Sequence, residues 1–155
     1  VAVITGTSSG LGLEMARSLL ERDFLVFGGS RSETPIDHDN FIDLSLDIRK
    51  ENSVIEFYRE IAKETEVIDV LINNSGICEM GPFAETETEE FVNHFSTNTL
   101  GTFYLLKYFE PFILSEESQV INIQSMRFHH PSRTLNRRLI LFPIGPLSYR
   151  LNGRR

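Results

Sequence analysis

Eight residues near the start of the chain, Thr5-Gly6-Thr7-Ser8-Ser9-Gly10-Leu11-Gly12, combine three glycines with small hydroxyl side chains. They follow an apolar run, Val1–Thr5, and open a helical pattern. Glycine admits left-handed backbone and close approach, so such a turn can fold tightly and bring a pyrophosphate onto the main chain. A helix start adds unbonded N–H groups and about half a positive charge. Anion binding by backbone amides is therefore the first chemistry on offer, with Thr5, Gly6, Ser8, Ser9, Gly10, Leu11 and Gly12 as the candidate cradle. A P-loop is excluded, because no Lys-Ser or Lys-Thr follows the glycines.

Further polar groups stand where later apolar runs end. Phe24–Phe27 leads to Ser30–Arg31, Phe41–Leu46 to Asp47, Val67–Ile72 to Asn73-Asn74-Ser75-Gly76, and Val120–Ile123 to Ser125. These runs are rich in the Val, Ile and Phe that strands favour. Between them lie helical patterns: Leu11, Met15 and Leu19 repeat every four residues, and Val54, Phe57, Tyr58 and Ile61 follow the i, i+3, i+4, i+7 spacing. A third helical segment runs from Thr88 to Phe112, with Phe91, Phe95, Asn98 and Thr102 on one stripe. The connection after Phe27 is too short and polar for a packed helix. Strands alternating with helices predict an α/β fold, a doubly wound parallel sheet of Rossmann type. In such a sheet ligands bind beyond the carboxyl ends of the strands, so the topology itself gathers these five points along one edge.

Composition narrows the classes. Hydrophobic residues are 41% and charged residues 24%, ordinary for a globular chain. With 155 residues one domain is expected. No apolar run approaches the ~20 residues that cross a bilayer. The single cysteine, Cys78, cannot form an internal disulfide and suits a reducing setting, with the cytoplasm expected. The net charge of -7 divides sharply. Residues 1–125 hold all 22 acids against eight Lys and Arg, so 8 − 22 = −14, whereas residues 126–155 hold seven Arg and no acid, +7. That basic tail permits contact with nucleic acid or an acidic surface, but the acidic body opposes it, and no nucleic-acid partner is expected. His129-His130 is read as an exposed pair, because adjacent histidines rarely share one ion, and no metal is expected.

The residues also carry a resemblance. Thr5-Gly-x-x-x-Gly10-x-Gly12, Asp47-Ile48, Asn73-Asn74-Ser75-Gly76, Asn98-Thr99-Leu100-Gly101 and the Ser125 of Ile121-Asn122-Ile123-Gln124-Ser125 occur in order over residues 1–125. In this the chain resembles the short-chain dehydrogenase/reductase family, which usually has Asn-Asn-Ala-Gly where Asn73–Gly76 stand. The resemblance implies an NAD(P)-dependent oxidoreductase moving hydride between nicotinamide and a small alcohol or ketone. By the same resemblance Asp47 and Ile48 border the adenine, Asn73 to Gly76 support the sheet and the adenine ribose, and Asn98 and Ser125 belong to a catalytic tetrad. The helix over 88–112 resembles the family's dimer helix, implying a homodimer.

Each residue also has a plainer reading. Asp47 can cap a helix beginning near Arg49. Asn73-Asn74-Ser75 also scans as a glycosylation acceptor, which a strand end in the cytoplasm disfavours. Asn98 can simply bond backbone in a kinked helix, and Ser125 can be an ordinary turn serine. At the end of strand two, NAD sites usually present an acid about 20 residues past the glycines. Here Ser30 takes that place and Arg31 follows, a fork suited to a 2′-phosphate, so NADP is favoured over NAD. Against that, Arg31 can be a solvated loop charge, and Ser9 stands where the family's other basic marker is found.

The family's Tyr-x-x-x-Lys pair, expected about a dozen residues beyond the serine, is missing. No Lys follows Lys107, and the one late tyrosine, Tyr149, is followed four positions on by Gly153. General acid/base groups typically supply 10²–10⁴-fold in rate. The chain is accordingly expected to be catalytically incomplete, the alternative being a non-catalytic dinucleotide-binding or regulatory variant. Residues 126–155 are expected to be a divergent end, through a frameshift, altered splicing or a mistaken gene model, leaving the sheet incomplete at its C-terminal edge.

Overall fold

A computed structural model describes residues 1–78, 85–113 and 118–123. Five strands, β1 Ala2–Thr5, β2 Val26–Ser30, β3 Phe41–Ser45, β4 Val70–Asn73 and β5 Gln119–Asn122, form one sheet in the order β3-β2-β1-β4-β5. Every neighbouring pair is parallel. Helices α1, Gly10–Leu20, and α2, Glu51–Glu64, follow β1 and β3. The segment before β5 is a chain of helical pieces: α3 Thr88–Phe95, a π-helical turn Ser96–Leu100, α4 Gly101–Phe109 and a 3₁₀ turn Glu110–Phe112. The order from β2 outward reverses at β1, so the β1–β4 boundary is the switch point of a doubly wound sheet.

Side chains alternate across the buried strands and make two cores. Val3, Phe27 and Leu71 point to the face covered by α2 and α4, where Val54, Phe57, Ile61, Leu105 and Phe109 meet them. Ala2, Ile4, Val26 and Ile72 point to the opposite face, under Ala16 and Leu20 of α1. Phe57, Tyr58, Phe109 and Phe112 stack at tilted or edge-on angles with centroids 5.2–6.1 Å apart. A buried aromatic of this kind is worth about 3–5 kcal/mol against alanine.

Several boundaries differ from those the sequence suggests. β2 continues past Phe27 through Gly28 and Gly29 to Ser30. A Cβ on Gly28 would lie 2.5 Å from the Phe41 ring, and one on Gly29 would lie 2.8 Å from both Leu46 and Phe57. The glycines therefore let both sheet faces close over the strand rather than ending it. β4 begins at Val70, leaving Val67 exposed. On α1 the inward stripe is Gly12, Ala16 and Leu20, while Leu11 is 56% exposed. The small residues face the sheet because the helix start must approach it closely. Phe91 and Phe95 are exposed rather than covered. Within the π-helical turn and in α4 beyond it, Thr97, Thr99, Gly101 and Leu105 are buried instead. Ser125, His129-His130, Tyr149 and the whole basic tail lie outside the described residues.

Among the described residues β5 has a partner strand on its β4 side, and Val120, Ile121 and Ile123 remain partly exposed. No described helix is long and apolar enough to cross a membrane.

Candidate functional site: a cleft at the carboxyl edge of the sheet

The glycine-rich turn is built by steric exclusion. Gly6 and Gly10 have φ of +76° and +58°, left-handed values that favour glycine. Gly12 answers to a different constraint, since a Cβ there would sit 2.1 Å from the Gly6 carbonyl oxygen. Nothing lies within 4 Å of the place a Gly10 Cβ would occupy. Ser9 precedes α1 in extended geometry, with no side-chain cap, and the first helical turn carries no acid. The leading N–H groups of α1 are thus available to an anion.

The end of β4 holds this turn against the sheet. The Asn74 and Ser75 N–H groups donate to the buried Thr5 hydroxyl at 3.1 and 3.0 Å. Asn74 Nδ2 donates to the carbonyls of Thr5 and Gly6 at 3.0 and 3.3 Å. Asn73 Nδ2 donates to Asn122 Oδ1 on β5 at 2.7 Å. Thr5 and Asn73 therefore act behind the cleft rather than in its wall. Both ends of the Asn98 amide are engaged: Oδ1 accepts the Ile77 N–H and Nδ2 donates to the Ile77 carbonyl, each at 2.9 Å. Lying in the π-helical turn, Asn98 clips the loop after β4 onto the helix.

The far wall comes from the ends of β2 and β3. The Leu46 N–H donates to the Ser30 carbonyl at 2.8 Å, so Arg31 and Asp47 leave the sheet side by side. Asp47 does not cap α2, which starts at Glu51 with Lys50 in the cap position. Its carboxylate instead receives a fork from Arg49: Nε to Oδ1 and Nη2 to Oδ2, both 2.8 Å, with the Arg49 N–H adding a bond of 3.2 Å. This fork, outweighing partial burial, lowers the Asp47 pKa to about 2, and the same pair raises that of Arg49. Beneath the wall, the Thr34 N–H and hydroxyl donate to Asp43 at 2.9 and 2.7 Å, and the Thr34 and Thr7 hydroxyls are 2.8 Å apart. That network ties the loop carrying Arg31 to the glycine-rich turn.

Together these elements enclose a cleft of about 340 Å³. Of the residues singled out from sequence, Gly6, Ser8, Ser9, Ser30, Arg31, Asp47, Ile48, Asn74, Ser75 and Gly76 line it. Thr5, Gly10, Leu11, Gly12, Asn73 and Asn98 are not among its lining residues. The lining also includes Ser32, Leu46, Arg49, Ile77 and Thr97, which sequence reasoning passed over. A signal for Arg49 existed, a cation two positions after Asp47; the others carry no distinctive residue type. The glycine-rich turn, the uncapped helix start and an arginine just past β2 give the cleft groups that suit an anionic ligand such as a diphosphate. No group of three or more potential metal ligands occurs among the described residues.

Comparison with known sequences bears on this geometry. The family described as short chain dehydrogenase matches residues 1–136. The chain belongs to that family. Among its relatives, the NADPH-dependent pterin aldehyde reductase of Arabidopsis thaliana is 30% identical over 128 residues, covering 77% of this chain and 53% of the reductase. Two solved structures are similar in fold. One is the short chain dehydrogenase of Leptospira borgpetersenii with bound NAD+, TM-score 0.72 and 25% identity over 81% of this chain and 54% of that one. The other is the alcohol dehydrogenase of Thermococcus sibiricus complexed with 5-hydroxy-NADP, TM-score 0.71 and 27% identity over 78% and 56%. The chain spans about half the length of the curated relatives it matches.

Proposed function

We propose that this short chain dehydrogenase chain holds a nicotinamide dinucleotide in the cleft, NADP in preference to NAD, as the cofactor-binding part of an oxidoreductase acting on a small alcohol or ketone. The observation that carries the reading is a cleft lined at one end by Gly6, Ser8 and Ser9, just ahead of the uncapped start of α1, and at the other by Arg31, just past β2 where an acid would serve NAD. Gly6, Ser8, Ser9 and the α1 amides would hold the diphosphate. Ser30 and Arg31 would meet the adenosine phosphate, Asp47 and Ile48 would border the adenine, and Asn74 to Gly76 would support its ribose. The cofactor, when bound, supplies the hydride chemistry. We assign residues 1–125 to this binding unit and 126–155 to a separate tail.

Asn98 and Ser125 are proposed as the members of the family's catalytic set present here, Asn98 acting through position because its amide is committed to Ile77. Within residues 1–155 no Tyr-x-x-x-Lys follows Ser125, so binding without measurable turnover is expected of these residues alone. The second reading, a non-catalytic binder, rests on that same sequence feature. Self-association through the helix over 88–112 is supported by the exposed Phe91, Phe95 and Phe103. The single cysteine fits a cytoplasmic setting.

Fluorescence titration of the chain with NADPH and NADH tests the assignment, followed by turnover assays on alcohols and ketones. Saturable binding, tighter for NADPH, is expected. Properly folded protein with no affinity for either nucleotide overturns it, and turnover would exclude the non-catalytic reading.

A further inference from the structure

Arg49 stands apart from Arg31, the other cation lining the cleft, because every arm of its guanidinium is committed. Nε and Nη2 fork onto the two oxygens of Asp47, and Nη1 donates to Asn93 Oδ1 on α3 at 2.9 Å. Asn93 in turn accepts the Thr97 hydroxyl through its carbonyl at 2.8 Å, so the bridge is rooted in the π-helical turn. Ile48, between the paired residues, seats at the start of α4, just beyond that turn: a Cβ on Gly101 would be 2.5 Å from Ile48 Cγ1. The side chains are 15% exposed for Asp47 and 33% for Arg49, so the pair is largely withdrawn from water.

Charge explains why such a clamp is needed. Asp47 is the one carboxylate among the described lining residues, and it lines the same wall as Arg31, the two following β3 and β2 where the Leu46 N–H meets the Ser30 carbonyl. Lys50 also stands 3.7 Å from Asp47 Oδ2, but its side chain is mostly exposed and its pairing weakly held, so without Arg49 the carboxylate would repel a phosphate and compete for Arg31. We propose that Arg49 is a specificity-determining residue of the cleft, cancelling the Asp47 charge so that Arg31 is left to receive a 2′-phosphate. Planarity matters as well as charge, since only a guanidinium can meet both oxygens and reach Asn93 together. The inference rests on the dinucleotide reading of the cleft given above.

The test is a comparison of NADPH and NADH dissociation constants, by fluorescence titration of the full chain at low and high salt, with circular dichroism and thermal melts as folding controls. For Arg49→Met, NADPH binding is expected to weaken about tenfold, the effect of one charge acting across roughly 10 Å at an effective dielectric near 20. NADH binding should move less than about threefold, and the NADPH loss should shrink in high salt because screening weakens it. The double variant Asp47→Asn/Arg49→Met should recover NADPH binding, and Asp47→Asn alone, which needs no change at Arg49, should raise the NADPH preference. Equal losses for both nucleotides with no recovery in the double variant would assign Arg49 a purely structural role and overturn the proposal, as would an unchanged preference in Asp47→Asn. If the unaltered chain binds neither nucleotide, the cleft reading itself fails and takes this inference with it. Binding of both nucleotides with an unshifted preference in every variant sinks the Arg49 role alone.

Discussion

The two ends of the cleft recognise by different means. At the β1 end the wall is a turn of glycine and serine, and the limits on its shape are steric: Gly12 must lie against the Gly6 carbonyl behind it, and Gly6 must adopt a left-handed conformation beneath Asn74. At the β2–β3 end side chains make the wall, and the limits on it are electrostatic: Arg31, Asp47 and Arg49 set the sign of the field. A turn of this kind would meet a diphosphate through main-chain amides whatever the rest of the ligand, and its closely packed glycines tolerate little substitution. A charged wall tolerates substitution and discriminates between ligands. Under the proposed reading, diphosphate binding and the choice between NADP and NAD sit on physically separate parts of one edge.

That contrast can be broken most severely at Gly12. Gly12→Ala places a Cβ where the Gly6 carbonyl already is, so α1 must shift; we expect about 3 kcal/mol or more of destabilisation and loss of nucleotide binding. A melting curve and a titration check both. If Gly12→Ala binds normally, steric limits do not govern this end. Next in size is Arg31→Ala, for which NADPH affinity should fall by about tenfold or more, as for loss of a charge-assisted bond, with little change for NADH and no loss of stability. A drop in melting temperature would show instead that Arg31 holds the fold.

Gly10 sharpens the distinction between two kinds of glycine. Its Cβ would meet nothing within 4 Å, so Gly10→Ala carries only the left-handed backbone penalty of about 1–2 kcal/mol, well below that at Gly12. Denaturant titration of the two variants side by side measures the difference. Acid tests the charged wall through Asp47. Its folded pKa is lowered from 3.8 to about 2, so the stability it contributes is complete above about pH 4 and is lost as the pH falls toward 2. Acid titration of stability should be shallower over that window in Asp47→Asn. An identical slope would mean that the Arg49 fork does not persist in solution.

Much of this was readable from local pattern. The alternation of apolar runs with helical spacing predicts the parallel sheet, and the placement of Ser30, Asp47 and Asn74 at strand ends predicts where they converge, because a parallel sheet brings all carboxyl ends to one edge. The buried stripe Val54, Phe57 and Ile61 of α2 likewise follows from its spacing. Other features escaped for identifiable reasons. Apolar type marked Leu11 for the interior, yet Gly12 and Ala16 face the sheet, because the distance between helix and strand, invisible along the chain, admits nothing larger. Gly28 and Gly29 look like the end of a strand but lie within one, since Phe41 and Phe57 come from elsewhere to fill their missing volume. The committed amide of Asn98 depends on a π-helical turn that no periodicity announced.

Sequence by itself determined the order of elements and which polar groups would reach the carboxyl edge, because period and strand ends are local properties of the chain. Tertiary structure alone decided which of those groups face the cleft, which brace it from behind and which neutralise one another. Such choices depend on distances between residues far apart in the chain: Asn93 meets Arg49 across 44 positions and Asn74 meets Thr5 across 69, and only the folded sheet and its helices bring them within hydrogen-bond reach.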